Sequence, residues 1–211
     1  MTSGVLVVFE GINGAGKSTI IEKLIEMYQN SSVSISVYKF PNRHGKDGAR
    51  IDRYLKEIDS IRSKYAVLDM FASDRESARE LIMSDLANGF LVVCDRYVYS
   101  AIAYQMPLGV YDPHLIYSYC KVIGHFDKKM PTPDITYVID GRHLYKRAGS
   151  GQEIFHYGDS RANQLFDTLL AVVAFQNLPY VVVSNKDGEI GNITTFISQD
   201  IESRWQLGYS I

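Results

Sequence analysis

The segment from Phe9 to Ile20, FEGINGAGKSTI, places Gly11, Gly16, Lys17 and Ser18 at the spacing GxxxxGK[ST]. Glycines at these places let the backbone curl until successive N–H groups, backed by a helix N-terminus, face one anionic centre. A lysine on that rim can follow charge moving between phosphate oxygens, and a serine hydroxyl can ligate Mg2+. The whole turn, Asn13, Gly14, Ala15, Gly16, Lys17, Ser18 and Thr19, is expected to cradle the phosphates of ATP. Such a loop serves motors, switches, transporters and kinases alike, so it points to a nucleotide and leaves the phosphoryl acceptor open. A guanine-reading NKxD stretch is missing, because Asn185-Lys186-Asp187 is followed by Gly188 where the aspartate belongs.

Three further segments carry residues suited to a second anionic ligand: KFPNR (Lys39 to Arg43), FASDRE (Phe71 to Glu76) and DRYVYSAIAYQ (Asp95 to Gln105). Asp95 follows an apolar run, a position from which a carboxylate can orient Mg2+ beside the phosphate loop, or else cap a helix. Arg96 and Arg43 each follow a strand pattern and can fork onto a monophosphate; surface salt bridges are the plainer use. Phe71 and Arg75 lie four apart, on one helical face, where a ring can stack on a base while the guanidinium reaches its edge or phosphate. Core packing for the ring and a surface ion pair for the arginine are the alternative. Tyr97, Tyr99, Tyr104 and Gln105 add hydroxyls and an amide near the same strand end, to line a pocket or to fill core.

These residues need a scaffold that brings several strand ends together. Val5 to Phe9, an apolar run without alternation as in a parallel sheet covered on both faces, Ser34 to Phe40, which alternates, Phe90 to Asp95, Ile135 to Asp140 and the run YVVVS read as strands. Helical patterns lie between them: Ser18 to Gln29, a stretch from Gly48, Lys64 to Asn88 with Gly89 as stop signal, Tyr111 to Phe126, a start near Arg142, Arg161 to Asn177, and Ile193 to Trp205. The alternation predicts an α/β fold, a five-stranded parallel sheet with helices on both faces, whose ligands bind at the carboxyl ends of the strands.

The chain of 211 residues suits a single domain, residues 1–211. Twenty-two Lys and Arg against 24 Asp and Glu, a net charge of −2, supply no overall field toward nucleic acid or an anionic membrane. Two cysteines, Cys94 and Cys120, lack the density of a disulfide scaffold and the spacing of a metal site. With no basic leader and no apolar run long enough to cross a bilayer, a cytoplasmic protein is expected.

Taken in order, the phosphate loop, FPxR, FxxxRxE and DRYxxSxxAY resemble the thymidylate kinase family from Val5 to about Phe166. The resemblance implies a P-loop NTPase fold with a short lid, and transfer of the γ-phosphoryl of ATP, with Mg2+, to dTMP. On these matches Lys17 and Ser18 meet the ATP phosphates and Mg2+, Asp95 is the acidic residue of the DRY motif, and Arg43 and Arg96 grip the acceptor phosphate. Phe71 stacks on the base, Arg75 reaches it, Gln105 lies beside it, and Tyr104 lies in the wall that discriminates against a 2′-hydroxyl. The lid would be the mobile segment 148–159, with Glu153 as its acidic residue and Arg142 or Arg147 as the arginine that meets the transferring phosphate. The family implies a homodimer, for which the apolar stripes Tyr65 to Phe71 and Tyr111 to Tyr119 offer surfaces. Two departures stand out. Asn13 replaces the loop aspartate of many members, and Gly14 the arginine of some, which implies an acceptor range wider than dTMP. A deoxynucleoside kinase acting on thymidine, with Glu10 as base, and a non-catalytic nucleotide-binding module are the competing readings.

Overall fold

The computed structural model describes residues 4–57, 63–107, 109, 112–126, 130–147, 159–186 and 189–205. Strands β1 (Val5–Glu10), β2 (Ile35–Lys39), β3 (Leu91–Asp95), β4 (Ile135–Asp140) and β5 (Tyr180–Ser184) form a parallel sheet in the order β2-β3-β1-β4-β5. Every pairing is parallel, with Val5 opposite Leu91, Lys39 opposite Asp95 and Asp140 opposite Ser184. The three central strands are buried almost throughout, as their unbroken apolar runs require.

Helices α1 (Lys17–Tyr28), α2 (Gly48–Lys56), α3 (Lys64–Ala87), α4 (Val98–Gln105), α5 (Pro113–Phe126), α6 (Asp159–Phe175) and α7 (Ile190–Trp205) connect or follow the strands. From β1 the chain crosses to β2 in one direction, and every later crossover runs the other way along the sheet. Right-handed crossovers therefore set α1 on one face and α3 to α6 on the other. Helix α7 returns to pack on α1. Both faces are covered, as the sequence predicts, and β1 lies at the switch point where ligands bind an open sheet.

Helix α1 buries Ile20, Ile21, Leu24 and Tyr28 along one stripe. Helix α3 begins at Ser63, whose hydroxyl accepts the N–H of Ala66, and stops before Gly89, whose φ of 80° lets the chain turn into β3. A satellite apolar cluster of Ile51, Tyr54, Leu55, Val67 and Met70 fastens α2 onto α3 and supports Phe71 and Tyr104.

Several boundaries differ from the sequence reading, among them the start of α6, at Asp159 instead of Arg161. The helix expected near Arg142 is a 3-10 turn, Arg142–Arg147. Helix α5 starts at Pro113, where a residue without an N–H suits the first turn, and α7 starts at Ile190. Of the two stripes offered as dimer surfaces, Tyr65 to Phe71 places Val67, Leu68 and Met70 in the core and leaves Tyr65 exposed, whereas the described part of Tyr111 to Tyr119 buries Ile116 and exposes Tyr117. Among the described residues no helix is long and apolar enough to cross a membrane.

Candidate active site

The phosphate loop leaves β1 at Glu10 and enters α1 at Lys17. Two of its glycines are obligatory. A Cβ on Gly11, at φ 146°, would lie 2.6 Å from the carbonyl oxygen of Ile139, and one on Gly16, at φ 93°, would lie 2.2 Å from Nδ2 of Asn185. Asn185 is buried just after β5 and donates Nδ2 to the carbonyl of Ala15 at 2.8 Å, so the loop is held from β5 as well as β1.

Lys17 is 6% exposed and donates to the carbonyls of Gly11 (3.0 Å) and Ile12 (2.9 Å), closing the loop on itself. Burial, and then the positive charge of Arg96, push its ammonium below the ordinary lysine range, against the pull of Asp95 and Glu10.

Asp95 ends β3 and Ser18 opens α1, and the serine hydroxyl donates to Asp95 Oδ2 at 3.2 Å. Lys39, the last residue of β2, reaches the same Oδ2 at 3.4 Å. Asp95 Oδ1 is buried without a partner among the described residues, an acceptor suited to a cation or its water shell. No cluster of three His, Cys, Asp or Glu side chains among the described residues is arranged to hold a metal. A hydroxyl and one carboxylate instead suit a Mg2+ that arrives with phosphate oxygens, so the residues present fit that ion.

Arg96 holds a left-handed backbone, φ 70°, which costs about 1 kcal/mol for a residue with a Cβ. Several contacts offset that strain. Its N–H donates to Phe9, and its guanidinium donates to the Gly11 carbonyl (2.8 Å), Ser100 Oγ (3.1 Å) and Asn13 Oδ1 (2.5 Å). It also lies over the ring of Tyr104, 5.3 Å from the centroid. Glu10 is fully buried behind it and accepts from the backbone N–H groups of Tyr97 and Ser100 and from the Ser100 hydroxyl, fastening the start of α4 to β1. Burial pushes the Glu10 carboxyl up, while the Arg96 charge and these hydrogen bonds pull the other way.

On the far side of the phosphate loop, the turn after β2 contains a cis Phe40–Pro41 bond. It then presents Arg43, an exposed side chain paired with Asp52 at 3.1 Å. Asp74 Oδ2 accepts the N–H of Asn42 at 2.9 Å and so fastens this turn to α3. On the same helix Phe71 meets Tyr54 edge to face, with centroids 6.0 Å apart, and Arg75 is 3% exposed.

The phosphate loop, Lys39, Asp95, Arg96 and the side chains of Arg43, Phe71 and Arg75 open onto one cavity of about 450 Å³, with Glu10, Asp74 and Asn185 behind its walls. Its walls bring together the expected Asn13, Gly14, Ala15, Gly16, Lys17, Ser18, Thr19, Arg43, Phe71, Arg75, Asp95, Arg96, Tyr104 and Gln105. Arg142 is not in those walls. It pairs with Asp140 at 2.8 Å and Asp167 at 3.3 Å and lies over the ring of Phe166, so in this conformation it serves the junction of β4 and α6. The side chain of Arg147, the lid segment 148–158 and Glu153 lie outside the description.

The sequence model of the thymidylate kinase family matches residues 9–186, from the last part of β1 to just beyond β5. The chain belongs to the thymidylate kinase family. A thymidylate kinase from Caenorhabditis elegans is 34% identical over 162 residues, covering 71% of this chain and 70% of that protein. One from Plasmodium falciparum is 32% identical over 154 residues, covering 72% and 70%. A solved structure of the Candida albicans thymidylate kinase, described for its broad substrate specificity, superposes with a TM-score of 0.73 at 25% identity over 95% of this chain and 92% of that one. The chain is thus an enzyme of this family, with the fold that the family implies.

Within this thymidylate kinase fold several contributors escaped the sequence reading. Lys39, Tyr54 and Ser100 line the cavity, and Asp74 and Asn185 brace its two rims. Asp74 lies inside the quoted FASDRE segment and Lys39 opens KFPNR, so motif membership was a usable signal for both. For Asn185 there was none, because its partner Ala15 is 170 residues away.

Proposed function

We propose that the chain transfers the γ-phosphoryl group of ATP to dTMP, giving ADP and dTDP, with Mg2+ and with an acceptor range wider than dTMP. The observation that carries this reading is a single cavity lined by a phosphate loop with Lys17 and by Arg43, Arg75, Arg96 and Phe71, cationic and aromatic groups suited to a nucleoside monophosphate. An oxygen of the acceptor phosphate forms the new bond to the γ-phosphorus as the bond to the β–γ bridging oxygen breaks. That oxygen is already anionic, so positioning and charge stabilisation do the work, and no strong base is required.

In this mechanism Lys17 leaves the carbonyls of Gly11 and Ile12 for the phosphates and follows the transferring charge. Ser18 and Asp95 would hold Mg2+, which would supply positive charge against the transferring phosphates. Arg96, fixed from Gly11, Ser100 and Asn13, presents a rigid guanidinium edge to the acceptor phosphate. Arg43 joins it by giving up an exposed pair with Asp52, a contact of little energetic consequence. Phe71, backed by Tyr54, offers its face to the base, with Arg75, Tyr104 and Gln105 around it. Asn13 carries no charge and its oxygen already accepts from Arg96, so it holds the acceptor sugar less strictly than an aspartate would. This supports the wider acceptor range.

The nucleoside-kinase reading needs a carboxylate base facing a sugar hydroxyl. Glu10, its candidate, is fully buried, engaged with α4 and outside the cavity walls. Coupled ADP-release assays with dTMP, dUMP, dGMP, dCMP, their ribose forms and thymidine, with and without Mg2+, test the proposal. Turnover of dTMP and at least one other monophosphate is expected. No ADP release with any monophosphate refutes it, and turnover of thymidine without dTMP favours the rival. The homodimer that the family implies is likewise proposed, and light scattering of the purified chain decides it.

A further inference from the structure

Lys39 has no part in the mechanism above, yet its position is unusual. It closes β2 directly opposite Asp95 in the parallel register, so the two side chains leave neighbouring strands at the same level. Its Nζ lies 3.4 Å from Asp95 Oδ2 and 3.4 Å from Ser18 Oγ, the two atoms that also contact each other at 3.2 Å. The neighbouring cations are directed elsewhere: Lys17 donates to the carbonyls of Gly11 and Ile12, and Arg96 to Gly11, Ser100 and Asn13. Lys39 therefore supplies a positive charge at the pair of oxygens suited to a divalent ion, one of which belongs to a carboxylate with a second, unpartnered buried oxygen.

Its side chain is 68% exposed, against 6% for Asp95. An ammonium on a flexible stem, wetted over most of its length, is easily displaced, and an exposed pair of this kind is weakly held. Lys39 is also the residue before Phe40, at the head of the turn that carries Arg43, so a displaced ammonium stays tethered at the cavity wall that it already lines.

We propose that Lys39 is a placeholder cation: it occupies the Ser18–Asp95 pair until a divalent ion enters together with nucleotide phosphates, and so discourages the binding of metal alone. The idea rests on the reading of Ser18 and Asp95 as the metal-holding pair. A metal ion arriving alone must displace Lys39 and then bear its repulsion at close range. A metal ion arriving with phosphates brings oxygens on which the displaced ammonium can settle.

Mn2+ binding followed by electron paramagnetic resonance, with and without ADP, tests this on the intact chain. One unit charge at this range, in surroundings close to water, changes the affinity for a divalent ion by about tenfold. Lys39→Met is therefore expected to bind Mn2+ alone about tenfold more tightly than wild type, while with ADP the two proteins differ less than twofold. Lys39→Arg, which keeps the charge, should stay near wild type. Equal affinity of Lys39→Met and wild type for Mn2+ alone overturns the proposal, as does an equal tightening with and without ADP. Asp95→Asn separates the two ideas. If it weakens Mn2+ binding with ADP and Lys39→Met changes nothing, the placeholder alone is wrong; if it does not weaken that binding, the assignment of the metal-holding pair is wrong.

Discussion

Asp74 is 1% exposed on α3, one residue before Arg75, and accepts the N–H of Asn42 through Oδ2, while its Oδ1 is buried without a partner among the described residues. Burial pushes its carboxyl from 3.8 up to about 6, with the Asn42 N–H and the Arg75 charge opposing and the Asp47 charge adding to the rise. Below the ordinary value both folded and unfolded chains carry the proton, and no penalty arises. Between 3.8 and about 6 the folded chain keeps a proton that the unfolded chain has released, so stability falls as pH rises, and above about 6 the penalty is complete. Asp74→Asn keeps an oxygen for Asn42 and never ionises. At about 1.4 kcal/mol for each pH unit, the rise caps the linked penalty at about 3 kcal/mol; solvent relaxation and screening bring it to about 1–2 kcal/mol. For a chain of this length that is about 2–8 °C in Tm. Thermal melts of both proteins at about pH 4 and about pH 7.5 measure it, because the penalty is nearly absent at the first and complete at the second. The Tm of the variant relative to wild type should rise between the two by about that amount. A difference that is the same at both pH values, or that shrinks as pH rises, refutes the reasoning. The variant should also keep the KM for the acceptor, since the tie to the Arg43 turn survives.

Three other substitutions probe the site. Lys17→Ala should lower kcat by about two orders of magnitude or more with no loss in Tm, because a lysine buried against its own charge preference is removed; near-normal ADP release would rule out its role. Phe71→Ala should raise KM for dTMP about tenfold while kcat changes little, since ring stacking on a base contributes roughly 1–3 kcal/mol; an unchanged KM in steady-state titration would count against stacking. Asn185→Ala leaves the Ala15 carbonyl unpaired at a cost of about 1–3 kcal/mol and should weaken ATP binding about tenfold or more in isothermal titration, with acceptor affinity unaffected. Unaltered ATP binding would mean that the loop does not need its brace.

The phosphate loop, the central strands and the DRY segment were legible in the sequence because each depends on a few adjacent residues. Glycine spacing sets where the backbone can turn, and unbroken apolar runs demand burial on both faces. The family followed from the order of such short motifs. What only the tertiary structure decided is how the strand ends meet. The sheet order sets Lys39 beside Asp95 and carries Asn185 to Ala15, neither of which any local pattern encodes. It also assigns Glu10 to the foot of α4 and Arg142 to Asp140, although the sequence left both open to chemistry. A charged side chain takes the partner that compensates its desolvation, and that partner is chosen by how distant segments pack, so its role becomes visible only once the sheet is assembled.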